Sequence, residues 1–417
     1  MARFLRLAGL AAGLAFSLPA PAEDKPNAEG WYTVDLKFVP CTGTRSKEGY
    51  EFLPVTTPHS LDAVKVSTSG QNQSLPIQNG DQGIKVTSLE TSLEIDLNGD
   101  GRIDAKAKGK DSCIPARLIA KDGTPYDYMF RVTRVETGGS TIEWIFQRSC
   151  TMEGTFDKTR IRLVDDNSDG VYGQIGSDAI AIGNTEHAAP FGTLLNVNQK
   201  IYQVRSNSTG TRLELKPWEG QTGKIDATRQ FAGQKLVWAV FKGADYWFDC
   251  AAGGKDTEIV VPVGRYRMEM GRVYHRPQGA RIRTGSLPDV EVKAGEVARI
   301  EWGGPVKIAF SYNFEGRILK IAPDQLQAVG RGGEVYWRFE PEDLTPKVHI
   351  RNQATKKIVH RGNIVGGGKG GTYHPAWWVV RSEYSEQVKN EEGPFEVYLE
   401  EDQFTKLFPD FMIGDWK

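Results

Sequence analysis

The chain has 417 residues, with 52 lysines and arginines against 53 aspartates and glutamates, 25% of its residues charged and 39% hydrophobic. Such a balance gives no electrostatic basis for holding nucleic acid or an anionic membrane. At roughly 150 residues per domain the length suggests two to four domains, each large enough for its own core.

The chain opens with the basic stretch Met1-Ala2-Arg3-Phe4-Leu5-Arg6, continues with an apolar run from Leu7 to Leu18, and reaches Pro19-Ala20-Pro21-Ala22. A basic start, a short apolar middle and small residues at a cleavage site read as a secretory signal peptide over residues 1–22, with the mature chain beginning near Glu23. Its two arginines removed, 50 basic residues stand against 53 acidic ones. The apolar run is too short to span a bilayer, and no later segment approaches the ~20 apolar residues a membrane helix needs. The expected location is secreted or periplasmic, without a membrane span.

Beyond a polar lead-in, Trp31 to Val39 alternates apolar with polar residues, the period-2 pattern of a half-buried strand, and Leu61 to Thr68 repeats it. These make an N-terminal β unit over 23–82. A second β domain, over 83–223, takes strands at Thr91–Ile95, Tyr128–Val135, Thr141–Arg148, Arg160–Val164, Asp178–Ile182 and Gln199–Arg205, with a hairpin signal at Gly138-Gly139. A small β-sandwich over 224–303 takes Lys235–Lys242 and the stretches Ile259–Met268 and Pro288–Ile300. A C-terminal sandwich over 304–417 takes strands at Val306–Tyr312, Ile318–Ala322, Val335–Phe339, Lys347–Arg351 and Phe395–Glu400. Helical periodicity is nearly absent, with short helices expected only near Pro323–Val329 and Asp402–Phe408. The predicted fold class is all-β, several β-sandwich domains with calcium-binding loops and very little helix.

Two acidic loops carry the chemistry. In Asp96-Leu97-Asn98-Gly99-Asp100-Gly101-Arg102-Ile103-Asp104, oxygen donors stand at alternate positions Asp96, Asn98 and Asp100, with Gly101 at the turn, Arg102 offering its carbonyl and Asp104 at the ninth place. Calcium is a hard cation that takes six to eight oxygens, and a tight loop supplies several of them at this spacing. The twelfth position is Ala107, so the bidentate glutamate of an EF-hand is missing; Asp111 is the nearest carboxylate to complete the shell. The second loop repeats the spacing with Asp165, Asn167 and Asp169, Gly170 at the turn and Tyr172 as carbonyl donor. Its twelfth position is Gly176, and Asp178 is the candidate for the missing ligand. Asp-Gly is also an ordinary hairpin signal, but a turn alone does not require acidic and amide groups two and four residues earlier. Ca2+ at two structural sites is therefore the expected cofactor.

The loop residues resemble the calcium loops of dockerin and thrombospondin type 3 repeats, which implies calcium bound for structure. Over 259–300, the cadence Pro262-Val263-Gly264-Arg265-Tyr266, strand, Val292-Lys293-Ala294-Gly295-Glu296, strand is similar to carboxypeptidase regulatory-like modules, which implies an accessory module rather than a catalytic one.

Four cysteines, Cys41, Cys113, Cys150 and Cys250, allow two disulfides in three connectivities in an exported chain; Cys113 to Cys150 is the favoured pair, since both flank one block of strands. None has the C-x-x-C spacing of a zinc or redox site. The six histidines are scattered, with no H-E-x-x-H and no G-x-S-x-G elbow. The glycine-rich run Gly362 to Gly371 lacks the G-K-[ST] ending of a phosphate loop and reads as a hairpin loop. Tyr373, Trp377 and Trp378 concentrate aromatics that suit either a core or a sugar-stacking platform; successive strand residues point to opposite faces, so both tryptophans line one platform only across a bulge.

The leading expectation is an exported calcium-binding structural or binding protein of the bacterial envelope, without catalytic activity and with an envelope protein or glycan as partner. The alternatives are a secreted hydrolase whose site is assembled across domains, and a carbohydrate-binding protein.

Overall fold

A computed structural model of the protein describes residues 25–41, 45–46, 49–50, 64–67, 73–81, 83–89, 91–109, 111–136, 142–185, 187–228, 234–251, 258–321, 326–340, 346–364, 384–389, 392–401, 404, 407–408 and 416–417. The expected leader and the aromatic trio Tyr373, Trp377 and Trp378 lie outside the described residues. Every regular element among those described is a β-strand, and none is a helix long and apolar enough to cross a membrane. The strands form several sheets, almost wholly antiparallel; Thr222–Asp226 and Val297–Arg299 pair in parallel.

Period-2 patterning explains the strands directly. In Asp111–Ile119, Ile114, Ala116 and Leu118 turn inward while Pro115, Arg117 and Ile119 face solvent. This strand lies at the edge of a sheet ordered Asp111–Ile119, Pro125–Glu136, Ile142–Arg148, Val64–Ser67, which is where a residue without an N–H is tolerated. The predicted hairpin is present, with Phe130 opposite Arg148 and Val132 opposite Phe146.

Three more sheets share the first core. One runs Gln73–Leu75, Ile84–Ser88, Ser92–Asp96, Ala105–Lys108; a second runs Ala189–Pro190, Ala179–Ile182, Thr159–Val164, Cys150–Phe156, Lys37–Pro40; a third runs Tyr32–Asp35, Arg212–Pro217, Lys200–Ser206, Leu194–Val197. Their inward residues, among them Ile95, Tyr128, Phe130, Trp144, Phe146, Ile161 and Leu163, form one apolar cluster. Truncating such a fully buried aromatic to alanine typically costs about 3–5 kcal/mol. Chain approach is tight where Gly154 crosses the first two strands: a Cβ there would meet Leu36 Cδ2 at 2.6 Å and the Asp35 carbonyl at 2.8 Å.

Further along, a large sheet containing Lys235–Lys242, Gly264–His275, Gln278–Arg283 and Val335–Glu340 builds a second core around Phe241, Tyr266, Trp302 and Tyr336. A third core, around Leu319, Val348, Ile350 and Leu399, belongs to the C-terminal strands.

Several expectations need correction. Trp31 to Val39 is two strands, Tyr32–Asp35 and Lys37–Pro40, which leave Leu36 between them and join different sheets. No break separates 23–82 from 83–223, because Val64–Ser67 pairs with Ile142–Arg148 and Lys37–Pro40 with Cys150–Phe156. Nor does the sheet stop at 303, since Val335–Glu340 pairs with Gln278–Arg283. Of the two short helices expected, the first ends on residues 327–329 that form a strand, Gln327–Val329, while residues 322–325, 402–403 and 405–406 lie outside the described residues; Phe408 N donates to Phe404 O at 2.8 Å. The expected Cys113–Cys150 bridge is not made, and no two cysteines are joined. Cys150 faces the apolar core beside Met129 and Tyr172, whereas Cys113 sits on the edge strand beside Ser149.

Candidate metal loops

The first acidic loop closes a hairpin. Ser92–Asp96 and Ala105–Lys108 pair with Leu93 opposite Ala107 and Ile95 opposite Ala105, and Asp104 N donates to Ile95 O at 2.9 Å. Asp96 is buried at the strand end, where Oδ1 accepts from Gly99 N at 2.6 Å and Oδ2 from Gly101 N at 2.9 Å. Gly101 takes φ 85°, a left-handed conformation that a side chain disfavours. The other donors follow the same local logic: Asn98 Oδ1 accepts from Asp100 N at 3.0 Å, Asp100 Oδ1 from Arg102 N at 2.8 Å, and Asp104 Oδ2 from Leu97 N at 2.8 Å. Burial alone works to raise the pKa of Asp96, but the N–H groups of Gly101 and Gly99 outweigh it and hold the carboxyl below its ordinary value. Asn98, Asp100, Arg102 and Asp104 are exposed.

Asp111 is not part of this loop. It begins the edge strand, where Oδ2 accepts from Arg131 Nη1 at 2.9 Å and Oδ1 from Thr133 Oγ1 at 3.1 Å.

The second loop is built differently. Thr159–Val164 and Ala179–Ile182 pair with Val164 opposite Ala179, so the next residues outward, Asp165 and Asp178, stand across the mouth of the connection. Both are buried, at 0% and 1% exposure. Asp165 Oδ2 accepts from Tyr128 OH at 2.6 Å and Gly170 N at 2.8 Å, and Oδ1 from Asp169 N at 3.2 Å. Asp178 accepts from Asp166 N at 3.3 Å and Gln174 N at 2.8 Å. Asp169 Oδ1 accepts from Val171 N at 2.8 Å, while Oδ2 accepts from Asn167 Nδ2 at 3.1 Å and Gln174 Nε2 at 2.9 Å. Tyr172 is buried, with its hydroxyl 3.5 Å from Cys150 Sγ.

Burial raises the pKa of both Asp165 and Asp178. The charge of Asp169 raises both further, and that of Asp165 adds to Asp178, against the lowering from Tyr128, Gly170 and Gln174. Ionising Asp165 and Asp178 together is thus opposed by their own surroundings, the condition that a bound cation relieves.

Residues that the spacing does not reveal hold this loop. Arg148 pairs with Asp166 at 3.3 Å, both side chains buried, and Arg148 N donates to Ser168 Oγ at 3.0 Å. Ser168 sits at φ 58°, a conformation the surrounding contacts must fix. Tyr126 OH donates to Gly170 O. Gln78 N donates to Asp169 O at 2.6 Å, while its neighbour Asn79 donates through Nδ2 to Leu97 O of the first loop. Gln174 alone had a local signal, an amide in the loop's second half.

No family model, curated protein or solved structure matches the chain.

Among the described residues no three His, Cys, Asp or Glu side chains already converge on one point as a metal-binding group. The carboxylates turn instead to backbone N–H groups and, in the second loop, also to Tyr128 OH and the side-chain amides of Asn167 and Gln174. The donor chemistry nonetheless fits a hard cation: each loop offers carboxylate and amide oxygens alone, without sulfur or imidazole. Of the histidines, His349 Nε2 lies 2.9 Å from Glu400, His360 lies 3.4 Å from Tyr384 OH, and His187 packs against Trp238.

Proposed function

We propose that the chain is an exported calcium-binding protein of the bacterial envelope, in which two acidic loops hold Ca2+ for structure and the β domains serve a structural or binding role without catalysis. The observation that supports this reading is the second loop, where Asp165 and Asp178 stand buried across the mouth of one connection and the charge of Asp169 acts on both. Asp165, Asn167, Asp169 and Asp178 would hold the ion there, with the Tyr172 carbonyl as a further donor and Gln174 hydrogen-bonded to Asp169. In the first loop Asp96, Asn98, Asp100, the Arg102 carbonyl and Asp104 would do so. The leader at 1–22 supports export, and an envelope protein or a glycan remains the proposed partner.

With a Kd of ~10⁻⁴ M in millimolar calcium, each site adds about 1.4 kcal/mol to folding. That magnitude suits a clasp better than a sensor. Calorimetric titration of the mature chain with calcium tests the reading, repeated on Asp96→Ala and Asp165→Ala. Two binding events are expected in the parent and one in each variant, with a matching rise of melting temperature. A parent whose heat and melting temperature ignore calcium would overturn it.

A further inference from the structure

Three adjoining strands of the large sheet, Lys235–Lys242, Gly264–His275 and Gln278–Arg283, carry seven lysines and arginines against one acid, Glu269. Glu269 is itself engaged, accepting from Trp247 Nε1 at 3.0 Å. Alternate residues of the sheet, Val273, Ala280, Ile282 and Tyr336, belong to the second core. Their neighbours form a row on the opposite face: the register sets Trp238 opposite Arg272, Arg272 opposite Arg281 and Arg281 opposite Trp337. Like charges placed directly opposite on one face repel, a strain that an anion between them relieves.

Trp238 and Arg281 are buried, and the Arg272 guanidinium lies 5.8 Å from the centroid of the Tyr274 ring. Lys235, which is exposed, stands opposite Tyr274 a step further along the same pair of strands. The first half of the chain closes on the row from one side. The His187 ring packs 5.9 Å from Trp238, and Ala189 joins Trp238, Val240 and Trp247 in one apolar cluster. Arg162, buried on Thr159–Val164, adds a further charge. Burial, and after it the charges of Arg272, Arg281, Lys235 and Arg162, hold the His187 imidazole well below its ordinary pKa. His187 Nδ1 is buried and meets no hydrogen-bond partner among the described residues.

We propose that this seam is an oxyanion site, taking a phosphate or sulfate group that is either free or carried on a sugar. Arg272 and Arg281 supply forked N–H donors that match such oxygens in pairs. Lys235 and Arg162 add charge from the flanks, and a proton on Nδ1 of the neutral His187 ring gives one more donor. Trp238 and Trp337 stand at the two ends of the row, and excluding water there strengthens each charged contact. The site owes nothing to the acidic loops, and an anion held in it ties the first half of the chain to the large sheet.

The test is calorimetric titration of the full chain with inorganic phosphate and, separately, with a hexose phosphate, at an ionic strength fixed by sodium chloride. Calcium-free buffer keeps the result apart from that of the acidic loops. A single saturable binding event is expected. Free phosphate binding at least as tightly assigns the site to the free ion, and tighter binding of the hexose phosphate assigns it to a phosphorylated glycan; both uphold the proposal. Arg272→Gln should weaken binding by about tenfold or more, and Lys235→Gln by about threefold. Lys242→Gln, whose lysine lies 3.9 Å from Glu269, should leave it unchanged. No saturable heat with either probe, or parental affinity in Arg272→Gln, would overturn the proposal. The parent and the exposed Lys235→Gln decide it if Arg272→Gln does not fold.

Discussion

The two acidic loops have nearly the same donor spacing and opposite physical characters. The first is self-contained: its carboxylates are satisfied by N–H groups within seven residues, and its tip is exposed. The second is sunk among sheets, with its carboxylates held by Tyr128 from 37 residues away and its backbone by Tyr126 from 44. A ligand pattern thus says which atoms are offered, while burial decides what offering them costs.

The sharpest way to break this contrast is through the ion pair beside each loop. Arg148→Ala leaves Asp166 charged and buried and should destabilise by about 3–5 kcal/mol, read from urea denaturation. Tyr128→Phe removes a buried hydrogen bond to a carboxylate and should cost about 1.5–3 kcal/mol; an unchanged midpoint would mean that Asp165 is not anchored there.

Glycine substitutions separate conformation from packing. Gly101 and Gly170 have nearly equal φ, 85° and 83°, yet a Cβ at Gly101 meets open space whereas one at Gly170 lies 3.0 Å from Ile77 and 3.2 Å from Leu118. Gly101→Ala should cost about 1 kcal/mol from strain alone, and Gly170→Ala roughly 2–3 kcal/mol, in parallel melting experiments.

Acid behaviour should differ in sign. The folded-state pKa of Asp96 is lowered, so its contribution is present above the unfolded value of 3.8 and lost as pH falls below it. Those of Asp165 and Asp178 are raised, so in calcium-free protein their contribution is full below 3.8 and lost as pH rises from there toward and past neutrality. Stability against pH in chelator should show Asp96→Asn flattening the acid limb and Asp178→Asn the neutral one. Two variants with the same profile would erase the distinction. The smallest effect belongs to Lys106→Ala, which removes an exposed pair with Glu94 next to the first loop and should change stability by about 0–1 kcal/mol.

What could be read in advance divides along the same line. Alternation at Asp111–Ile119 and the hairpin of Pro125–Glu136 with Ile142–Arg148 follow from neighbours in sequence, so both were legible. The donor order of each loop was legible for that reason too. The supports of the second loop were not, because Gln78, Tyr126, Tyr128 and Arg148 reach it only through pairings between distant strands. Residue spacing likewise placed Asp111 near the first loop, whereas Arg131 on the neighbouring strand claims it. The expected boundary after residue 82 failed because Lys37–Pro40 finds its partner at Cys150–Phe156, a choice that local pattern does not encode.

The dipeptide Gln78-Asn79, which touches Asp169 with one residue and Leu97 with the next, bears on the order of folding. A hairpin such as that around the first loop can zip from its own turn, whereas contacts between distant segments wait for long chain closures. The first loop is therefore expected to take shape early and to offer Leu97 O as a ready acceptor for Asn79. Pulsed-labelling hydrogen exchange should then show the hairpin of the first loop protected before the amides of the second, with the buried acidic mouth among the last parts of the first core to close.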